Sequence, residues 1–324
     1  MQRLIIMTLA AIVAAWAGFT RAQENYQGNY PSQPVRIIIP FPAGSTTDTL
    51  TRIVADQLGR KWGKAAVVEN VPGMNVGAER VARAEPDGYT LLASPPSPLT
   101  INKLLYHDLP YDPDKLVPIT LLATGPNVLD LRKDLPINSV AELIAYAKAN
   151  PGKLTYASQG VGSTAQLSSA LLEQMAGIKM LHVPYRGALP ALNDVIAGHV
   201  DMFFDTVTTS VPLFRAGEFK ILAVGSAKRI PALAEVPTME EAGLPGFRSI
   251  TWFALAAPPG TPAPLVAKIN RDTVEVLKDP QVSERLQQLQ LDPGATTPEE
   301  TAQFFAAELK LWGGVIAAAH ISVQ

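Results

Sequence analysis

Val35-Arg36-Ile37-Ile38-Ile39-Pro40-Phe41 runs into Pro42-Ala43-Gly44-Ser45-Thr46-Thr47-Asp48, and then into a stretch from Thr49 to Lys61. The first piece is an apolar, β-branched run, the pattern of a buried strand. The last places Leu50, Ile53, Val54 and Leu58 at i, i+3, i+4 and i+8, one face of a helix. Ala66-Val67-Val68-Glu69-Asn70 reads as the next strand, Val76 to Ala84 as a short helix, and Tyr89 to Ala93 as a third strand. Strands alternating with helices call for parallel pairing with right-handed crossovers, so the fold class is α/β.

The rhythm resumes after an extended stretch, Ile119–Leu131. Ser139 caps a helix over Ala141 to Lys148, with Glu142 placed for a capping box. Strands follow at Leu154–Ser158, Leu181–Tyr185, Met202–Asp205 and Ile221–Gly225, with helices at Thr164–Met175 and Leu189–Ala197. The C-terminal part adds a strand, Thr251–Ala257, and helices from Pro264 to Leu277 and from Pro298 to about Ala317. These late helices need a sheet to cover, and the first unit has few of its own. The chain is therefore expected to cross near Gly125 and return near Ser226. Domain I is then 30–125 plus 226–324, and domain II is 126–225. Two doubly wound sheets joined twice imply a hinge and an interdomain cleft at the strands' C-terminal edges.

The chain has 324 residues, a formal net charge of −2, 17% charged and 47% hydrophobic residues. That balance can fill a large core and offers no basic stripe for nucleic acid. Cysteine is absent, which excludes disulfides, thiol nucleophiles and iron–sulfur ligation. His107, His182, His199 and His320 show no metal-binding spacing, so neither metal nor cofactor is expected. At the N-terminus, Arg3 precedes an apolar run from Leu4 to Phe19, and Thr20-Arg21-Ala22 leads into polar Gln23-Glu24-Asn25. The run is short for a membrane span, which needs about 20 apolar residues. Residues 1–22 read as a signal peptide cleaved near Ala22, so the mature chain is expected to be exported.

Each unit has one short loop from a strand end into a helix, rich in small residues and hydroxyls. These are Phe41–Asp48 and Ser158–Thr164. Helix N-termini attract anions, because free N–H groups converge and the macrodipole adds about half a positive charge. N-capping alone also explains either loop. The pair in matching positions suggests a ligand gripped from both sides. Gly160-Val161-Gly162 lacks the third glycine of a dinucleotide fingerprint, and no lysine completes a phosphate loop. Ser163 acts as an acyl-transfer nucleophile only if a histidine such as His182 and a carboxylate reach it. Asp205 ends a strand and either accepts a hydrogen bond from a ligand amine or hydroxyl or caps the next turn. Tyr185 is a candidate for the cleft lining, Ser94 and Pro95 for its wall, and Arg186 for a carboxylate clamp or a surface ion pair.

Taken together, Tyr30-Pro31-Ser32-Gln33-Pro34, Ile39-Pro40-Phe41-Pro42-Ala43-Gly44, Val68-Glu69-Asn70, Pro86-Asp87-Gly88-Tyr89-Thr90-Leu91, Tyr111-Asp112-Pro113, Gly152-Lys153-Leu154-Thr155-Tyr156-Ala157-Ser158, His182-Val183-Pro184-Tyr185-Arg186-Gly187, Val236-Pro237-Thr238 and Ala257-Pro258 resemble the Bug family. These are the extracytoplasmic solute receptors of tripartite tricarboxylate transporters. The resemblance covers nearly all of the mature chain. It implies a two-lobed periplasmic binding fold, type II-like, that is no enzyme and captures a small carboxylate or related solute. The implied partners are the membrane permease subunits, with a sensor kinase as the alternative, and the receptor is expected to be a monomer. It also implies a ligand grip by Ala43, Gly44, Ser45, Thr46, Ser158, Gly162, Ser163 and Thr164, with Asp48 in support; Phe41, at the head of the first loop, is a further ligand-binding candidate. Two positions depart from the family pattern: Ser45 where a second glycine is usual, and Gln166 where a histidine is usual.

The exported protein should begin at or near Gln23. N-terminal sequencing of the mature product checks this, and an intact Met1 on a membrane-bound product would overturn it.

Overall fold

The computed structural model describes residues 30–323, so the expected signal segment 1–22 lies outside the described residues. In chain order the elements are β1 (Val35–Ile39), α1 (Thr46–Trp62), β2 (Ala66–Asn70), α2 (Asn75–Ala82), β3 (Thr90–Ser94), α3 (Asn102–Leu105), β4 (Val117–Arg132), α4 (Val140–Ala149), β5 (Thr155–Ser158), α5 (Thr164–Ala176), β6 (Leu181–Pro184), α6 (Ala188–Ile196), β7 (Met202–Thr206), α7 (Val207–Arg215), β8 (Phe219–Val224), β9 (Ile250–Ala257), α8 (Ala263–Leu277), α9 (Pro280–Gln288), β10 (Asp292–Pro293) and α10 (Pro298–Ala319).

The arrangement is the two-lobed α/β fold. In the first lobe β1 pairs in parallel with β2 and β3, and β9 runs antiparallel to both β3 and β4. In the second, β5 pairs in parallel with β6 and β7, while β4 runs antiparallel to β7 and β8. The two sheets are not separate. β4 is 16 residues long, pairing with β9 over Val117–Pro126 and with β7 over Asn127–Leu131. One strand is therefore shared by both lobes. Its apolar run is long because both of its halves are buried between helical layers.

Each lobe has its own core. Ile37, Leu50, Leu58, Leu91, Phe253 and Leu265 belong to the first. Leu129, Leu143, Leu172, Phe203 and Phe204 belong to the second. Leu233, Val236, Met239, Leu244 and Phe247 also pack in the second core. The segment 226–249, which the sequence reading assigns to domain I, thus packs with domain II, and the chain rejoins the first sheet at Ile250. This segment has only a 3-10 turn, Pro231–Leu233, and no periodic pattern to betray its side. The sequence reading also missed α7 and α9. α7 carries Pro212 in its interior, and α9 buries only Val282 and Leu286. At the C-terminus, Trp312, Val315 and Ile316 of α10 pack with Leu105 of α3 and with Leu167 and Ala170 of α5, so this helix straddles both lobes.

The crossings meet in one knot. Asn127 N donates to Ser249 O at 3.0 Å, Gly225 N to Asn127 O at 2.7 Å, and Ser249 N to Gly225 O at 3.0 Å. Asn127 Nδ2 donates to Ser249 Oγ at 2.8 Å, and Thr251 Oγ1 to Asn127 Oδ1 at 2.9 Å. Only glycine fits at 225, since a Cβ there would lie 2.4 Å from Ser249 O and 3.1 Å from Asn127 O. Both atoms are backbone and cannot swing aside.

Gly225→Ala is therefore expected to destabilise the protein by about 1–3 kcal/mol, the usual range for overpacking. Chemical denaturation of parent and variant checks it, and equal stability would show that the crossing yields easily.

Candidate functional site

A cleft of about 830 Å³, its open mouth included, lies between the lobes. Four helices begin on it. Ser45, Thr46 and Thr47 come from the start of α1, Ser163 and Thr164 from α5, Gly187 to Pro190 from α6, and Thr206 from the start of α7. A helix's first N–H groups have no intrahelical partner. Each terminus adds about half a positive charge, so convergence of several on one cleft favours an anion.

The hydroxyls divide into two kinds. Ser45 Oγ accepts from Asp48 N at 3.3 Å, and Ser163 Oγ accepts from Gln166 N at 3.5 Å, so both serines cap their own helices. Thr46, Thr47 and Thr164 line the same cleft, and among the described residues their side-chain hydroxyls have no hydrogen-bond partner. They are uncommitted donors, and the Thr206 hydroxyl on the same cleft is another among the described residues. Arg186 also lines the cleft and makes no ion pair among the described residues, contrary to the surface pairing considered from sequence.

Of the residues singled out from sequence, Phe41, Ala43, Gly44, Ser45, Thr46, Pro95, Ser163, Thr164, Arg186 and Asp205 line the cleft. The rest stand behind it. Asp48 accepts from Gly44 N at 3.0 Å, Arg52 Nε at 3.0 Å and Asn70 Nδ2 at 3.0 Å. Burial alone would raise its carboxyl, but the bonds from Arg52, Gly44 and Asn70 outweigh that and hold it below the usual range. Asp48 thus stays ionised and ties down the first loop. Ser94 is buried, with its hydroxyl donating to Pro95 O. Tyr185 turns its hydroxyl onto Asp194 Oδ2 at 2.6 Å. Gly162 faces the first lobe: its carbonyl accepts from Ser97 Oγ at 2.9 Å, and a Cβ would sit 2.3 Å from Leu105 Cδ1.

Sequence reasoning missed Ser97, Gln159, Thr209, Thr251 and Phe253 in the cleft wall. Thr251 and Phe253 are two apart on β9, so strand alternation puts them on one face and carried the only available signal. Asp205 is 1% exposed, and burial pushes its carboxyl up to about 6 against bonds from Thr209, Thr206, Gln159 and Ser210. Behind it Asp130 is fully buried and accepts from Ser210 Oγ at 2.7 Å. Desolvation, with Asp205 nearby, pushes Asp130 well above the carboxylate range.

The family profile described as tripartite tricarboxylate transporter family receptor matches residues 50–321. Protein BugT of Bordetella pertussis is 34% identical over 315 residues, covering 96% of each chain. The solved structure of Rhodopseudomonas palustris Rpa4515 with adipate superimposes with a TM-score of 0.87 at 36% identity, over 90% of this chain and 99% of that one. MatC from the same species, with bound malate, gives 0.83 at 33% identity, over 89% and 100%. The chain belongs to this receptor family.

The family departure at Gln166 has a definite place in this receptor. Gly162 N donates to Gln166 Oε1 at 2.7 Å, so the amide nitrogen faces the other way, 3.3 Å from His182 Nδ1. Nδ1 then accepts, and Nε2 carries the proton and donates to Ser158 Oγ at 2.6 Å. Ser158 Oγ in turn donates to Gly160 O at 3.1 Å. The chain of bonds ties the second loop to β6 and engages His182 with Ser158 and Gln166 rather than with Ser163.

Burial pushes His182 down to about 4 from the ordinary 6.5. A depressed histidine contributes stability that is complete above pH 6.5 and is lost as pH falls toward 4. Asp130 and Asp205, both raised, tilt the curve the opposite way. The His182 contribution is therefore the difference between parent and His182→Gln. That difference should shrink as thermal melts move from pH 7.5 to about 5. A gap independent of pH would mean that His182 titrates normally.

Proposed function

We propose that this receptor is exported to the periplasm, holds a small carboxylate between its lobes, and presents the closed form to the permease subunits of a tripartite tricarboxylate-type transporter. The observation that carries the reading is the convergence of helix N-termini from both lobes on one cleft, with Thr46, Thr47 and Thr164 as spare donors. A carboxylate there joins the lobes, because each lobe supplies part of its hydrogen bonding. Closure thus follows ligand, and a permease that binds the closed form reads occupancy. The lobes in this reading are 30–126 with 250–323, and 127–249. Adipate and malate in the two related structures support a carboxylate as the class. Catalysis is no part of the proposal. Ser163 caps its own helix, and His182 is engaged by Ser158 and Gln166.

Calorimetric titration with adipate, malate and acids of intermediate length tests the reading. At least one should bind saturably at one site per chain. Thr164→Val, nearly isosteric, removes one uncommitted donor. A hydrogen bond to a charged group is worth about 1.5–3 kcal/mol, so affinity should fall about tenfold or more. Melting without ligand should stay unchanged, since the hydroxyl has no partner in the fold. Failure of every acid to bind would overturn the proposal.

A further inference from the structure

Asp205 reaches the cleft with both of its oxygens engaged. Oδ1 accepts from Gln159 Nε2 at 3.1 Å. Oδ2 accepts from Thr209 Oγ1, with Ser210 Oγ at 3.5 Å. Asp205, which the sequence leaves open between a ligand acceptor and a cap of the next turn, is therefore engaged by the protein, and its effect falls on Gln159.

An ionised carboxylate only accepts hydrogen bonds. It holds the NH2 of Gln159 toward itself, because the flipped amide would set oxygen against oxygen. The planar amide then directs Oε1 away from Asp205. Gln159 is half-buried and lines the cleft, and among the described residues its Oε1 has no partner. The side chain whose O and N atoms are ordinarily interchangeable is here set by its neighbour's charge.

We infer that the Asp205–Gln159 pair turns this part of the cleft into a hydrogen-bond acceptor, so that the preferred solute carries a donor, an amide, hydroxyl or ammonium, in addition to its carboxylate. The inference rests on the carboxylate reading above. The carboxylate meets the helix N-termini, and the donor meets Gln159 Oε1. A simple dicarboxylate placed the same way sets its second anionic group against an acceptor backed by the Asp205 charge. A site built to hydrogen-bond a group discriminates strongly against an analogue that cannot make the bond.

The test uses matched pairs of the same length: succinate with succinamate, glutarate with glutaramate, and adipate with adipamate. Calorimetry at pH 7.5 should give the half-amide at least tenfold tighter binding than its dicarboxylate at the best-fitting length. Gln159→Leu removes the acceptor and should bring that ratio close to one. Asp205→Asn, whose amide both donates and accepts, frees Gln159 to turn its NH2 outward and should narrow or reverse the ratio. Gln159→Leu leaves the buried carboxyl untouched, so it decides the matter even where Asp205→Asn fails to fold. A dicarboxylate that binds more tightly in the parent overturns the inference while leaving the carboxylate reading intact, as does a ratio unchanged in Gln159→Leu. If no acid or half-amide of any length binds, the carboxylate reading falls first and this inference with it.

Discussion

Everything in this molecule hangs on β4 passing unbroken from one lobe into the other. A strand shared by two sheets must satisfy its backbone along its whole length. At the point of passage it does so through Asn127, Ser249 and Gly225, whose main chains bond one another in a closed set. The Asn127 side chain adds bonds to Ser249 and Thr251. The lobes are therefore tethered by paired backbone rather than by loose linkers. Thr251, held by this knot, also lines the cleft, so the crossing and the binding surface share a residue.

That tether decides where the helix N-termini can point. In each lobe the parallel strands feed helices at their C-terminal edges, and joining the lobes through β4 brings those edges face to face. Positive helix ends then meet in one cleft from opposite sides. The acids close to it are managed in different ways. Asp48 is kept charged by Arg52, Gly44 and Asn70 and spends its charge on the first loop. Asp205 is buried and shares its oxygens with Gln159 and Thr209, which shields the cleft from a bare carboxylate.

Much of the fold was legible from the chain. The β-branched runs and the spacing of Leu50, Ile53, Val54 and Leu58 follow from burial on one face, and burial is a local property of a strand or helix. The site was legible only in outline. Ser45 and Ser163 announced two helix starts, but the same hydroxyl serves a cap and a ligand equally well in a sequence. Ser158, Ser94, Tyr185 and Gly162 look like their cleft-lining neighbours yet turn toward Gly160, Pro95, Asp194 and Leu105. Which way a side chain faces at the end of a strand depends on what packs beside it.

By itself, then, the sequence determined the alternation of strands and helices, the two glycine- and hydroxyl-rich loops, and the family resemblance, because each is written in short-range pattern. Only the tertiary structure decided that residues 226–249 pack with the second lobe, that both sheets share β4, and that Gln159, Arg186 and Phe253 stand on one cleft. These are contacts between residues far apart in the chain. They are selected by the joint burial of two cores and the pairing of one long strand, and no local periodicity encodes them.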